Sequence, residues 1–339
     1  MMLVHEDNRS YLQPCINSMT LLPWNPPCVL CRIFAVLILI LSFISFVFNL
    51  RFLQFHQSKN HLVYSLIFAS LLVLIIAVPG VLIQLLTCYR HCSEIYCRLE
   101  GFISYLSGCL CMLTLMMLAV HRYLSLVSKR KTWSSSHANG FCWLVSWIFT
   151  FPLVFNYWNK YLPEGFGFHC SLNWADQSTI SRLYIFASFT VLYFLPLLCL
   201  ICFSLRSHRV VQKVSSNHYL IYSLKCESCQ TSSSILSRRG QNIERNQEHR
   251  CHLRQLKHRQ TIRMNTQFLR AIIVLISNYL IAWTPYSIVA LLQLYRVEFI
   301  FQHAYLMTLT AFIGKLSVIV TPMIYVRLMN KNLYKKIFL

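Results

Sequence analysis

The chain has 339 residues, of which 56% are hydrophobic and 12% charged, and its mean hydropathy is +0.50. A soluble domain carries about 25% charged residues, so a water-soluble globular protein is excluded. The net charge of +21 would fit a nucleic-acid binder, but the basic residues cluster between long apolar runs, and that distribution excludes nucleic acid as the partner.

Seven apolar runs stand out: Ile33–Leu50, Val63–Leu86, Gly101–Val120, Gly140–Asn159, Leu183–Leu205, Ala271–Tyr295 and Phe301–Tyr325. About 18 to 25 residues at 1.5 Å each cross a bilayer core. The expected fold is therefore all-α, a seven-transmembrane helix bundle. Arg122, Lys129, Arg130 and Lys131 follow the third run, a basic stretch fills 206–263, and Arg327, Lys331, Lys335 and Lys336 follow the seventh. The opposite loops carry only scattered charges. This asymmetry places the N-terminus outside and the C-terminus in the cytoplasm of a multi-pass plasma-membrane protein.

In chain order, residues 1–30 read as an extracellular tail, and 31–339 as the bundle. Asn8-Arg9-Ser10 in the tail is a glycosylation acceptor sequence. The second span holds Pro79-Gly80, a kink whose freed backbone groups neighbouring helices can satisfy. Cys97 opens the third span and Cys170 lies in the loop before the fifth. Both fall on the oxidising side, and a disulfide between them is expected. Fifteen cysteines are too many for counting alone to give the pairing. Cys226-x-x-Cys229 with Cys251 and His252 has a spacing that zinc tolerates. No surrounding fold supports a site, and no metal is expected. The third cytoplasmic loop, 207–262, is basic. Its middle, Cys226–Arg250, lacks hydrophobic periodicity and reads as disordered, with its two ends prolonging the fifth and sixth helices. Pro285, in Ala282-Trp283-Thr284-Pro285-Tyr286, should bend the sixth span and turn Trp283 and Tyr286 inward. Residues 330–338 alternate basic and apolar, which suits a short amphipathic helix on the cytoplasmic leaflet.

Two charges interrupt the apolar runs. Lys315 is the lone Lys, Arg, Asp or Glu in Phe301–Tyr325 and sits near its middle. A charge at that depth costs roughly 2.5–3.5 kcal/mol, which marks a functional residue. An amine in an apolar pocket is also what Schiff-base chemistry with an aldehyde requires. Snorkelling or structural pairing is the plainer alternative. Glu100 lies at the outer end of the third span, where hydration by loop water is the plainer alternative.

Seven spans, Arg122-Tyr123 after the third, Trp283-x-Pro285-Tyr286 in the sixth and Pro322-x-x-Tyr325 in the seventh resemble the rhodopsin-like G-protein-coupled receptors. Within that class the chain resembles an opsin, of non-visual or pineal type. Lys315, seven residues before Pro322, matches the retinal-binding lysine. Glu100, three residues after Cys97, matches the Schiff-base counterion. Glu164, six before Cys170, matches the loop glutamate that many other opsins use instead. The resemblance implies retinal, 11-cis or all-trans, held as a protonated Schiff base on Lys315. It implies a pocket with Trp283, Tyr286, Tyr105, Gly108 and Ala311. Light would rearrange the bundle so that a heterotrimeric G protein docks at His121, Arg122, Tyr123, Pro322 and Tyr325. Such a receptor is not an enzyme.

The switching positions depart from the family pattern. His121 stands where an acid usually precedes Arg122, and Asn265 and Gln267 fall near the usual acidic partner in the sixth span. Thr321, Ser70 and Ser204 replace the usual Asn, Asp and Tyr. The alternatives are a retinal photoisomerase of opsin shape with weak G-protein coupling, and a receptor for a diffusible ligand whose acidic group pairs with Lys315.

Overall fold

The computed structural model describes residues 28–55, 60–88, 93–127, 134–230, 238–329, Tyr334 and Ile337; the side chains of residues 28, 214–262, 265 and 301 lie outside that description. Asn8 with the tail, and most of the expected helix at 330–338, therefore lie outside the described residues.

Seven membrane-length helices form the bundle: α1 (Cys28–Phe55), α2 (His61–Thr87), α3 (Glu94–Val127), α4 (Ser135–Thr150), α5 (Thr179 to Gln230), α6 (Arg238–Leu294) and α7 (Ala304–Met329). Local signals start several of them. The Asn60 side chain accepts from Leu62 N–H at 3.2 Å, and Ser134 and Ser178 cap α4 and α5 by accepting from Ser136 and Ser181 N–H, each at 3.3 Å. Each cap satisfies one N–H that the first helical turn leaves without a partner. Burial fixes the arrangement. The apolar window of α3 is 89% enclosed, against 28–61% for the other six, which makes α3 the central helix. The outward faces of α1, α5 and α6 carry exposed Val36, Leu37, Ile40, Leu198, Ile273 and Ile281. An apolar surface of this extent needs lipid, so the chain is an integral, multi-pass membrane protein.

Three features depart from regular helix. α2 passes through a π-helical turn, Val73–Ala77, just before Pro79. The Ile76 carbonyl there accepts the Tyr96 hydroxyl at 2.9 Å, and a side chain at Gly80 would collide with that same tyrosine. The backbone group that the π turn before Pro79 leaves free is thus satisfied from α3. α5 has a second π turn, Phe189–Phe194. α6 and α7 carry Pro285 and Pro322 in their interiors.

α5 reaches Gln230 and α6 begins at Arg238, so within 226–250 the described backbone is helical. Its helical part from Arg238 to Arg250 is rich in Arg, Gln and Glu, which lose little rotamer freedom in a helix and need no apolar stripe to continue one.

The segment between α4 and α5, read from sequence as a loop, contains a hairpin. β1 (Tyr161–Glu164) pairs antiparallel with β2 (His169–Leu172) in the register Tyr161↔Leu172 to Glu164↔His169. Gly165 and Gly167 make its turn with φ of +57° and +83°, a region glycine enters without the Cβ penalty. The Cys97–Cys170 disulfide is present and ties β2 to the start of α3, with Cα atoms 5.4 Å apart. Tyr161 fills the groove beside Gly101, and its buried hydroxyl, pushed well above the ordinary tyrosine value by loss of water, donates to the Thr150 carbonyl at 3.0 Å. The hairpin and disulfide together hold a rigid cover over one end of the bundle.

Candidate functional site

Beneath this cover lies a cavity of about 100 Å³. Lys315 enters it from α7, Trp283 and Tyr286 from α6, Tyr105 and Gly108 from α3, and Glu164 from β1; Ala311, one turn before Lys315, lines the same wall. Seven of the eight residues that the sequence placed at a cofactor site therefore share one wall. Glu100, the eighth, stands immediately behind Lys315.

Lys315 Nζ lies 2.5 Å from Glu100 Oε1. Glu100 is buried, and its carboxylate is further held by Ser104 Oγ at 3.3 Å and by the Cys170 backbone N–H. That last contact depends on the disulfide, which brings β2 against α3. Buried charges persist where they are paired and hydrogen-bonded, and Lys315 and Glu100 meet that condition. The plainer reading of Lys315 as snorkelling is thereby set aside: its head group turns inward to a carboxylate.

Glu164 is arranged differently. Its Oε2 meets His169 Nε2 at 2.9 Å, while Oε1 accepts from Trp174 Nε1 at 2.9 Å and from the Tyr286 hydroxyl at 3.0 Å. Of the two sequence candidates for a counterion, Glu164 lines the cavity and Glu100 stands behind Lys315, and the structure brings only Glu100 onto the amine.

The rest of the wall is apolar and aromatic. Trp283 stacks on Tyr279 at 5.8 Å and 22°, meets Tyr286 edge-on at 5.9 Å and 86°, and donates Nε1–H to Ser317 Oγ at 3.0 Å. A Cβ on Gly108 would come within 3.0 Å of the Trp283 ring and one on Gly314 within 3.5 Å, so two glycines give the indole its seat. Trp174, His169, Tyr193, Tyr279 and Phe189 also build or border the site and escaped the sequence reading. The Gly165-x-Gly167 spacing between two short runs signalled a hairpin, and a hairpin would have set His169 across from Glu164.

The switching residues gather at the opposite end. Arg122 places its guanidinium over the Phe268 ring, 5.1 Å from the centroid, and Tyr123 packs on Phe203 at 5.4 Å. Gln267 donates to the Leu328 carbonyl at 2.6 Å and, more weakly, to that of Met329 at 3.4 Å, fastening α6 to the end of α7. Pro322 and Tyr325 are buried in α7, and His121 is half-buried. Asn49 donates to Ser70 Oγ at 3.0 Å, and Ser45 to the Ile319 carbonyl at 2.8 Å, a neutral polar chain joining α1, α2 and α7. Arg51 donates to the Ile337 carbonyl at 2.6 Å, and Ile337 is buried, which sets Ile337 against the end of α1. Among the described residues, no three His, Cys, Asp or Glu side chains gather at metal-binding spacing.

The chain is thus a bundle of seven membrane-spanning helices with a covered, lysine-bearing cavity at one end. Residues 47–325 match the model of the seven-transmembrane receptor (rhodopsin family), and the chain belongs to that family of receptors. It is similar to pinopsin of Columba livia, 24% identical over 84% of this chain and 72% of pinopsin. It is likewise similar to opsin-VA of Rutilus rutilus, 26% identical over 92% of this chain and 73% of that relative. Squid rhodopsin in its crystal structure shares the fold, with a TM-score of 0.74 at 20% identity, covering 96% of this chain and 90% of that one.

Proposed function

We propose that the protein is a light-sensing opsin-type G-protein-coupled receptor, in which Lys315 holds retinal through a protonated Schiff base and Glu100 is the counterion. The observation that carries this reading is the buried Lys315–Glu100 pair at the end of an apolar cavity, 2.5 Å between charged atoms. The residues fit the cofactor. A long apolar aldehyde needs an amine at one end of an aromatic cavity and little polar surface elsewhere. Gly108 and Gly314 leave the Trp283 ring free to form one wall.

Retinal, when bound, supplies light absorption and a change of shape on isomerisation. The chain's own residues do the rest. Lys315 provides the nitrogen for condensation, with loss of water. Glu100 keeps a positive charge at that nitrogen stable in a dry site, and Ser104 and the Cys170 N–H hold the carboxylate in place. Trp283 stands against the cavity and is linked through Ser317 to α7, so pressure on its ring reaches the helix that carries Pro322. The Gln267 fastening then sets how readily α6 leaves α7 to admit a G protein. We further propose that the disulfide end faces outside and the Arg122 end the cytoplasm of a plasma membrane.

The pairing supports this reading over a receptor for an acidic diffusible ligand, because the Lys315 charge is already met by Glu100. It equally favours a stable pigment over a photoisomerase that releases its product. The test is an absorbance spectrum after reconstitution with 11-cis-retinal. A visible band is expected, lost in Lys315→Ala and moved to the ultraviolet in Glu100→Gln. Illumination should raise G-protein activation; equal dark and light signals would contradict the receptor reading.

A further inference from the structure

Two carboxylates stand near Lys315, Glu164 in the cavity wall and Glu100 behind the amine, but only Glu100 is attached to it, and the hairpin holds the reason. His169 sits directly across from Glu164 in the β1–β2 register, with its Nε2 2.9 Å from Glu164 Oε2. Both side chains are enclosed, at 0% and 3% exposure, so no water competes for the contact. The other ring nitrogen, Nδ1, is buried and has no hydrogen-bond partner, so the ring's polar contact is with Glu164 alone. Phe312 backs the ring at 5.3 Å. It lies one turn before Lys315 on α7, so the imidazole is wedged between Glu164 and the helix that carries the amine.

We propose that His169 is a positioning residue that caps Glu164 and withholds it from the Lys315 nitrogen, so that Glu100 alone serves that nitrogen. A carboxylate has about four lone-pair sites. Three on Glu164 are taken by His169, Trp174 and Tyr286. Among the described residues, the buried acids and bases at this site fall into two pairs, Lys315 with Glu100 and His169 with Glu164. Buried charge is tolerated in such matched sets. A histidine directly across the hairpin therefore decides which carboxylate remains for the ligand's attachment point. Sequence alone had left that choice between Glu100 and Glu164.

This inference rests on the retinal reading above, and the test separates the two. Pigment is reconstituted from four variants and its absorbance recorded. Glu100→Gln should absorb in the ultraviolet, because the capped Glu164 does not replace the lost charge. Glu100→Gln with His169→Ser should regain a visible band, because Glu164 is released. Adding Glu164→Gln to that pair should abolish the band again. Glu100→Gln with His169→Gln, which keeps an amide donor to Glu164, should stay in the ultraviolet. A visible band in Glu100→Gln alone, or none in the His169→Ser double variant, overturns the proposal. Failure of the unaltered protein to form any pigment overturns the retinal reading instead. In that case the cap is read without ligand, from thermal midpoints. His169→Ser should lower the midpoint in the native background and have little effect beside Glu164→Gln; equal losses in both overturn it.

Discussion

The Lys315–Glu100 pair yields a test that needs no ligand. The two side chains are 14% and 1% exposed, and their charged atoms are 2.5 Å apart. At that separation and an effective dielectric of about 20, the attraction is about 7 kcal/mol, and desolvation of both groups offsets much of it. Breaking such a pair from one side costs about 3–5 kcal/mol, since a buried charge is left without its partner. Lys315→Met should sit at the upper end, because Glu100 keeps only the Cys170 N–H and Ser104. Glu100→Gln should cost less, because the amide still accepts from Cys170 and the ammonium keeps slight access to water. The double variant should lose less than either single one, because no unpaired charge remains. The assay is the thermal midpoint of the purified, ligand-free protein in detergent for all four members of the cycle. Losses that add to within about 0.5 kcal/mol would refute the reasoning, since they would mean that the two groups do not stabilise one another.

Three further outcomes are expected. Gln267→Leu removes a 2.6 Å hydrogen bond from α6 to the Leu328 carbonyl; at about 1 kcal/mol it should raise light-independent G-protein activation roughly fivefold. Cys97→Ser opens a crosslink between residues 73 apart in sequence; it should cost about 4 kcal/mol and, by freeing β2, the Cys170 contact to Glu100, read as a lower thermal midpoint and poor pigment yield. Gly165→Ala forces a side chain onto a backbone with φ of +57° and to within 2.8 Å of the Ala304 carbonyl; a midpoint loss of about 2 kcal/mol is expected, and no change would show that the turn is not held as described.

Much of this architecture could be read from residue order, and the reasons are physical. A lone lysine within twenty apolar residues is conspicuous because lipid penalises it, so Lys315 was legible without neighbours, whereas Glu100, at the outer end of its span, drew its role from resemblance. Trp283, Tyr286 and Gly108 carried no such penalty and drew meaning only from resemblance. The pairing of Glu164 with His169 needed the strand register as well as the Gly165-x-Gly167 turn signal, and only the folded hairpin supplies the register. The π turns before Pro79 and at Phe189–Phe194 were hidden for a similar reason. They leave the apolar pattern intact while shifting which side chains face α3. Polar helix formers carry α5 and α6 past their apolar runs, a prolongation already signalled at the two ends of 207–262. His121 beside Arg122 signalled an altered switch, but the Phe268 and Gln267 contacts that occupy that region required the packed bundle.

The central claim is that one amine, Lys315, joins retinal. Retinal-loaded protein treated with borohydride, digested and weighed peptide by peptide tests it most directly. A retinyl mass on the peptide containing Lys315, absent in Lys315→Ala, is the predicted result. A peptide of unmodified mass, or an adduct on another lysine, would contradict the account.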